Sequence, residues 1–445
     1  MIYDLRLTIH GGRDLFKVFA KGLPVVLFLL LGSPAQCLST ESIDLSGQWR
    51  FALDRNDAGT NQAWFSKNLP DKIRLPGILQ AQGYGDDIAT NTPWVLGLGD
   101  AWWNLQSPEL RDHFSKPGHV EVPFLSQPPK HYLGAAWYQR EVAVPKDWQG
   151  RHFTLFLERA HWRTTVWLDD REIGSDASLC APREFDLGAV APGKHRLTIL
   201  VDNRLQLPAA GHLVDAHSIS DALGAAWNGI VGKIELCSTP PVWIDDLQNF
   251  PNLTNKTVQV RGRLGNVTGL TVTNTLTLGF MCALDSMPVR KDKTITVVIP
   301  PGGTDFVADV TRDLPLTPWD EFHPVQLPWI AAYLGKPADW NKTLFTAEIP
   351  LREIATQDKE ILLNGRPLNL RMTHFGGDFP LTGYPAMDVA SWKKIIRTCQ
   401  DYGLNGMRFH SWCPPEAAFE AADELGFYLQ VECGLWADFR NPVMQ

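Results

Sequence analysis

Arg408 and His410 are the side chains whose type and spacing first suggest chemistry. They alternate with Met407 and Phe409, so in a strand the polar pair shares one face and the apolar pair the other. The next apolar stretch, 427–431, runs into Glu432, and the same alternation puts Tyr428, Gln430 and Glu432 on one face. Upstream, Asn369, Arg371 and Thr373 oppose Leu368, Leu370 and Met372. Each stretch has an apolar parity that can pack under helices and a polar parity that cannot. A guanidinium at Arg408 would hold a nearby carboxylate in its ionised form. It would serve equally well in an internal ion pair that joins two strands.

Helices must separate these strands. Asp388 is a helix N-cap candidate, Val389, Trp392, Ile395, Ile396 and Cys399 recur at helical spacing, and Gly403 is a terminator. A second helix opens on Pro414-Pro415, turns Ala418, Phe419, Ala422 and Leu425 inward, and stops at Gly426. Strands at 407–410 and 427–431 alternating with helices predict parallel βαβ units. Polar side chains at the carboxyl ends of such strands build the site of a (β/α)8 barrel, but a doubly wound sheet places its ligand in the same way.

The wording is more specific than the pattern. "LNGRPLNLRM", followed by "GLNGMRFHSWCPPEAAFEAADELGFYLQVE", resembles the opening of the barrel in family 2 glycoside hydrolases, the β-galactosidase, β-glucuronidase and β-mannosidase group. The resemblance rests on the Asn-Gly turn before strand one, Arg-x-His at strand two and Asp-Glu-Leu-Gly before strand three. It implies that residues 356–445 are the first three βα units of a TIM barrel, well short of the ~250 residues of a whole one. It also implies that Arg408, His410 and Glu432 line a sugar pocket.

Residues 42–240 read as all-β. "AAWYQREVAVP", "RHFTLFLERA", the hairpin "TTVWLDDREIGS" and "APGKHRLTILVDNR" are short strands at regular spacing, and "IDLSGQWRFALD" opens with a short strand and a loop. Their order, closing on "WNGIVGKIEL", resembles the jelly-roll sugar-binding domain of the same family. Asp221 and Asn228 match a segment that approaches the barrel site there, and a carboxylate and an amide bond sugar hydroxyls well. Asp202-Asn203-Arg204 is expected to stabilise the fold. The irregular segment 92–132, with Trp94, Trp102 and Trp103, is either a wall of the pocket or a surface insertion. Residues 241–355 are a second Val- and Thr-rich region, for which an immunoglobulin-like β-sandwich without a catalytic cluster is expected.

Composition sets the outer bounds. The chain has 445 residues, 44% of them hydrophobic, with a net charge of −8 and 17 tryptophans. Two to four domains fit that length, and mild acidity argues against nucleic acid or an anionic membrane as partner. Arg13, Lys17 and Lys21 precede a short apolar run and a small-x-small site at Ser33-Pro34-Ala35, so residues 1–35 are expected to be a signal peptide for export to the periplasm or beyond. The run is too short for a membrane span. Gln36 is a poor residue ahead of a lipidated Cys37. The seven cysteines form no CxxC pair and no His/Cys cluster, so no zinc site, other metal or cofactor is expected.

Retaining glycosidases need two carboxyl groups ~5–5.5 Å apart, one acting as acid then base and the other as nucleophile. The family resemblance places the acid/base glutamate after an asparagine beyond strand four, and the nucleophile near strand seven. No Asn-Glu dipeptide occurs in the sequence, so both groups are expected beyond Gln445. Glu432 and Asp378 sit near strand ends but match neither position. The first expectation is a retaining β-glycosidase acting on oligo- or polysaccharide, inactive over this stretch alone. The alternative is a non-catalytic carbohydrate-binding protein.

Overall fold

The computed structural model describes residues 41–95, 107–116, 119–120, 129–178, 181–204, 216–221, 227–281, 293–311, 318–324, 329–335, 344–347, 351–377 and 379–432. The expected signal segment, Cys37, Trp102, Trp103 and Asp378 lie outside the described residues.

The first β body consists of two sheets. One runs Glu41–Asp44, Gly229–Thr239, His152–His161, Arg183–Gly188, with Gly77–Ile78 pairing the second of these. The other runs Arg171–Ala177, Arg163–Leu168, Gly193–Asp202, Ala135–Val144, Gly47–Asp54, Asp71–Leu75. Period-two alternation makes the core: Phe153, Leu155 and Leu157 from one sheet meet Trp49, Phe51, Tyr138, Leu197, Ile199 and Val201 from the other. Each such side chain contributes about 1.5–3 kcal/mol by leaving water. "IDLSGQWRFALD" forms two strands in different sheets, where a strand and a loop were expected. Gly47, at φ 118°, makes the crossing between them.

Asp202-Asn203-Arg204 ties this body internally, as its placement at a strand end suggests. Asn203 takes a hydrogen bond from the Gly134 amide and donates to the Tyr132 carbonyl. Arg204 bridges Asp202 and Asp57.

The second β body has a three-stranded sheet (Val242–Asn252, Thr257–Asn266, Thr304–Thr311) and a four-stranded one (Lys293–Ile299, Val272–Met281, Trp329–Leu334, Leu344–Ala347). They share a core that includes Val258, Val260, Leu276, Leu278 and Ile299. A small meander, Ile354–Gln357, Glu360–Leu363 and Arg366–Pro367, leads on. Its tight turn is Asn364-Gly365, both at positive φ, as a two-residue primed hairpin requires. The Asn364 side chain accepts from the Glu353 amide and donates to the Trp319 carbonyl, so the turn also anchors the neighbouring chain.

The parallel unit comes last: β1 (Met372–Phe375), α1 (Val389–Asp401), β2 (Gly406–Phe409), α2 (Glu416–Leu425) and β3 (Tyr428–Val431), with β2 in the centre and both pairings parallel. Asp388 caps α1 by accepting from the Ser391 amide. Gly426 ends α2 in the left-handed region. Trp392 and Ile396 of α1 pack with Ala417, Ala418, Ala421 and Ala422 of α2 over Met407 and Phe409. The buried stripe of α2 is thus all alanine. Phe419 and Leu425, expected inward, are only half-buried, because alanines let the helices approach more closely than a phenylalanine would.

The register of β1 differs from expectation in a way that matters for the site. The strand begins at Met372, after the 368–371 stretch read as its start. Met372 pairs with Gly406, and His374 with Arg408 and through it Gln430. Paired residues of a parallel sheet share a face, so His374 joins the Arg408 face and Thr373 does not.

Candidate functional site

Arg408 and Glu432 meet at the carboxyl ends of β2 and β3. The guanidinium places Nε 2.6 Å and Nη2 2.5 Å from Glu432 Oε1. The Ser411 amide donates to Oε2 at 3.1 Å. Ser411, at φ 51°, turns the chain back just past β2 so that this amide reaches the carboxylate. The Glu432 side chain is 9% exposed and Arg408 35%, so the cation keeps an accessible edge while the anion is held inside.

Three imidazoles gather beside this pair. His374 comes from β1, His410 follows β2, and His217 comes from the turn 216–221 of the first β body. Ring centroids are 4.6 Å apart for His217–His410, 4.9 Å for His374–His410 and 6.0 Å for His217–His374. Ser411 Oγ accepts from the His217 amide and lies 3.0 Å from its Nδ1. Burial, then the neighbouring His410 and His374, push His217 down to about 4. Burial, then Arg408, lowers His410. Both shifts favour the neutral imidazole at His217 and His410, able to donate at one nitrogen and accept at the other.

His217, His374 and Ser411 were not singled out from sequence. His374 was hidden by the slipped start of β1, though a histidine one residue before Phe375 on an exposed parity was a usable sign. His217 sits between strands, where no periodicity marks it.

The two remaining candidates do not join this group. Asn228 is fully buried inside the first β body. Its Oδ1 accepts from the Tyr138 hydroxyl, and its Nδ2 donates to the Gly134 and Val201 carbonyls. Both amide hydrogens are used and the side chain is closed off from solvent, so the structure places Asn228, expected as a substrate ligand, in a core network. Asp221 is 4% exposed, and its Oδ2 accepts from the Val95 amide at 2.6 Å. Its own amide donates to the Val95 carbonyl. It staples the 92–95 segment to the turn that carries His217, and its Oδ2 lies 3.7 Å from His131 Nε2. Trp94 packs edge-on against His131 beside that staple.

A narrow cleft opens next to His217, between the first β body and the parallel unit. His161 and Trp227 line one wall, Phe379, Tyr384 and Trp412 the other, with His217 at the junction. Broad aromatic faces with few polar atoms suit the apolar faces of sugar rings. The wall is bolted in place. Arg159 donates to the Pro414 carbonyl, and buried Glu158 accepts from both the Lys233 and Glu416 amides at 2.8 Å.

Solved structures agree on the fold. A family 2 β-galacturonidase from Eisenbergiella tayi superposes with a TM-score of 0.63 at 17% identity, covering 91% of this chain and 59% of that one. β-Glucuronidase 2 from Bacteroides uniformis gives 0.63 at 17% identity over 89% and 42%. Among curated proteins, a β-glucuronidase from Paenibacillus borealis is 29% identical over 174 residues, 39% of this chain and 23% of its own length. A β-galactosidase from Arthrobacter sp. (strain B7) is 22% identical over 404 residues, 88% of this chain and 35% of its own. No protein-family model matches the chain. These likenesses support a glycoside hydrolase of the family 2 type. The chain spans about a quarter to a third of the length of these curated relatives.

Proposed function

We propose that this chain is the saccharide-binding part of a family 2 retaining β-glycosidase. In this reading the two β bodies are a jelly-roll sugar-binding domain and an immunoglobulin-like sandwich, divided near residue 240, and β1 to β3 open a (β/α)8 barrel. The basic and then apolar amino terminus makes it an exported protein. The observation that carries the proposal is the Arg408–Glu432 pair at the carboxyl ends of parallel strands, facing three imidazoles beside an aromatic cleft.

The hydrolytic step itself requires an acid/base and a nucleophile. Glu432 is fully engaged by Arg408 and Ser411, and none of the described residues lining the cleft carries a carboxyl group. The family resemblance puts the two carboxyl groups of the reaction on barrel strands other than β1 to β3. For the 445 residues alone, the same observation favours binding without turnover.

The test combines two readouts. Calorimetric titration of the chain with β-glucuronides, β-galacturonides and β-galactosides should show binding of at least one class, weakened at least tenfold by Arg408→Ala. Aryl β-glycosides of the same sugars should remain uncleaved. If no saccharide binds, the proposal fails. If the chain hydrolyses a substrate on its own, the placement of both carboxyl groups elsewhere is wrong.

A further inference from the structure

The three imidazoles invite a second question, because their potential ligand nitrogens all lie within 4.8 Å of one another. They arrive from three separate segments, so no local spacing motif announces them. A tetrahedral ion with nitrogen bonds of ~2.0–2.1 Å holds its ligand nitrogens about 3.4 Å apart. Binding therefore requires the nitrogens to draw together by up to about 1.4 Å. We propose that His217, His374 and His410 form a three-histidine site for a divalent transition-metal cation of the zinc class, with a fourth position open towards the cleft.

Four features of the surroundings fit. The donor set is imidazole alone, which suits zinc, copper, nickel and cobalt and disfavours the hard, oxygen-seeking magnesium and calcium ions. His217 Nδ1 rests against Ser411 Oγ, and the tautomer that donates there leaves Nε2 basic, a typical outer-shell arrangement. Among the described residues, Arg408 and Glu432 are charged groups acting on His217 and His410, and they pair with each other. Exposure rises from buried His217 through half-buried His410 to exposed His374, which supplies a path of entry and room for a fourth ligand such as water or a sugar hydroxyl.

The site does not depend on the glycosidase reading, and its test uses no saccharide. The tag-free 445-residue chain is stripped with a chelator, then titrated with Co²⁺ and followed by visible ligand-field absorption. One equivalent should bind and be displaced by Zn²⁺. His410→Ala and His374→Ala should abolish the signal. Ser411→Ala should weaken binding about 10–100-fold by freeing His217, and His323→Ala, at an exposed histidine elsewhere, should change nothing. His374 is exposed, so its variant is expected to keep the parent circular dichroism spectrum and to report on the site itself. Absence of a saturable Co²⁺ signal, or binding that survives in folded His374→Ala and His410→Ala, overturns the proposal.

Discussion

Glu158 is the residue whose loss should most cleanly uncouple the parallel unit from the β bodies. Its carboxylate is 3% exposed and accepts from two backbone amides, Lys233 on its own sheet and Glu416 at the start of α2, both at 2.8 Å. Gly232 exists at that point to admit it: a Cβ there would lie 2.2 Å from Glu158 Oε2. A charge-assisted hydrogen bond of this kind is worth about 1.5–3 kcal/mol, and the anion at a helix N-terminus adds about 0.3–1 kcal/mol. Glu158→Ala removes both bonds and leaves two buried amides without an acceptor. Of the two bonds only that to Glu416 crosses to α2, so with the helix-terminus effect the docking of α2 should weaken by about 2–4 kcal/mol. Three kcal/mol corresponds to more than a hundredfold in an equilibrium. Hydrogen exchange reads this directly. Protection of amides in β2, α2 and β3 should fall by more than a hundredfold, while the Thr257–Asn266 strand of the second β body keeps its parent rates. Glu158→Gln, which retains one acceptor oxygen, should show a smaller loss. If protection in α2 changes less than about fivefold in Glu158→Ala, the β body does not hold the helix and the account of the bolt is wrong.

Three further outcomes rest on individual sites. Asn228→Ala strands the Tyr138 hydroxyl and two carbonyls in the core, and should lower the stability of the first β body by about 2–4 kcal/mol in urea titration while leaving any saccharide affinity unchanged. His161 is pushed down to about 4, chiefly by burial. The unfolded chain therefore binds a proton near pH 6.5 that the folded chain refuses until about pH 4. Stability contributed by neutral His161 is complete above pH 6.5 and drains away as pH falls through that window, by up to about 3 kcal/mol. Urea midpoints should drop accordingly, and His161→Gln should flatten the slope. Gly426 sits at φ 68°, and a Cβ there would lie 2.6 Å from the Glu321 carbonyl oxygen. Gly426→Ala should cost about 1–2 kcal/mol from the backbone alone and more from that contact, seen as a lower thermal midpoint.

What could be read from the chain divides by range. Periodicity located the strand of Leu197, Ile199 and Val201, the hairpin at Asp169-Asp170 and both helices, because burial of one face is a local constraint that the residues themselves must satisfy. It failed where a partner decides. The start of β1 is set by pairing with β2, so Leu368 and Leu370 looked like strand residues and Leu370 ends up exposed. That slip moved Thr373 onto the polar face on paper and His374 off it. A one-residue error in a period-two element inverts every side chain, and here it hid one of three converging imidazoles. Asn228 shows the opposite failure. A polar residue near a site was read as a ligand, yet a buried amide is first obliged to satisfy its own surroundings, and Tyr138, Gly134 and Val201 engage its oxygen and both its hydrogens. That Arg408 and Glu432 come together was legible because charge complementarity needs only the right parity on adjacent strands, and adjacency follows from the βαβ connection itself. Sites assembled within one βαβ run are thus readable in principle from a single chain. A member such as His217, delivered by a turn of a different body, becomes visible only when the packing between bodies is known.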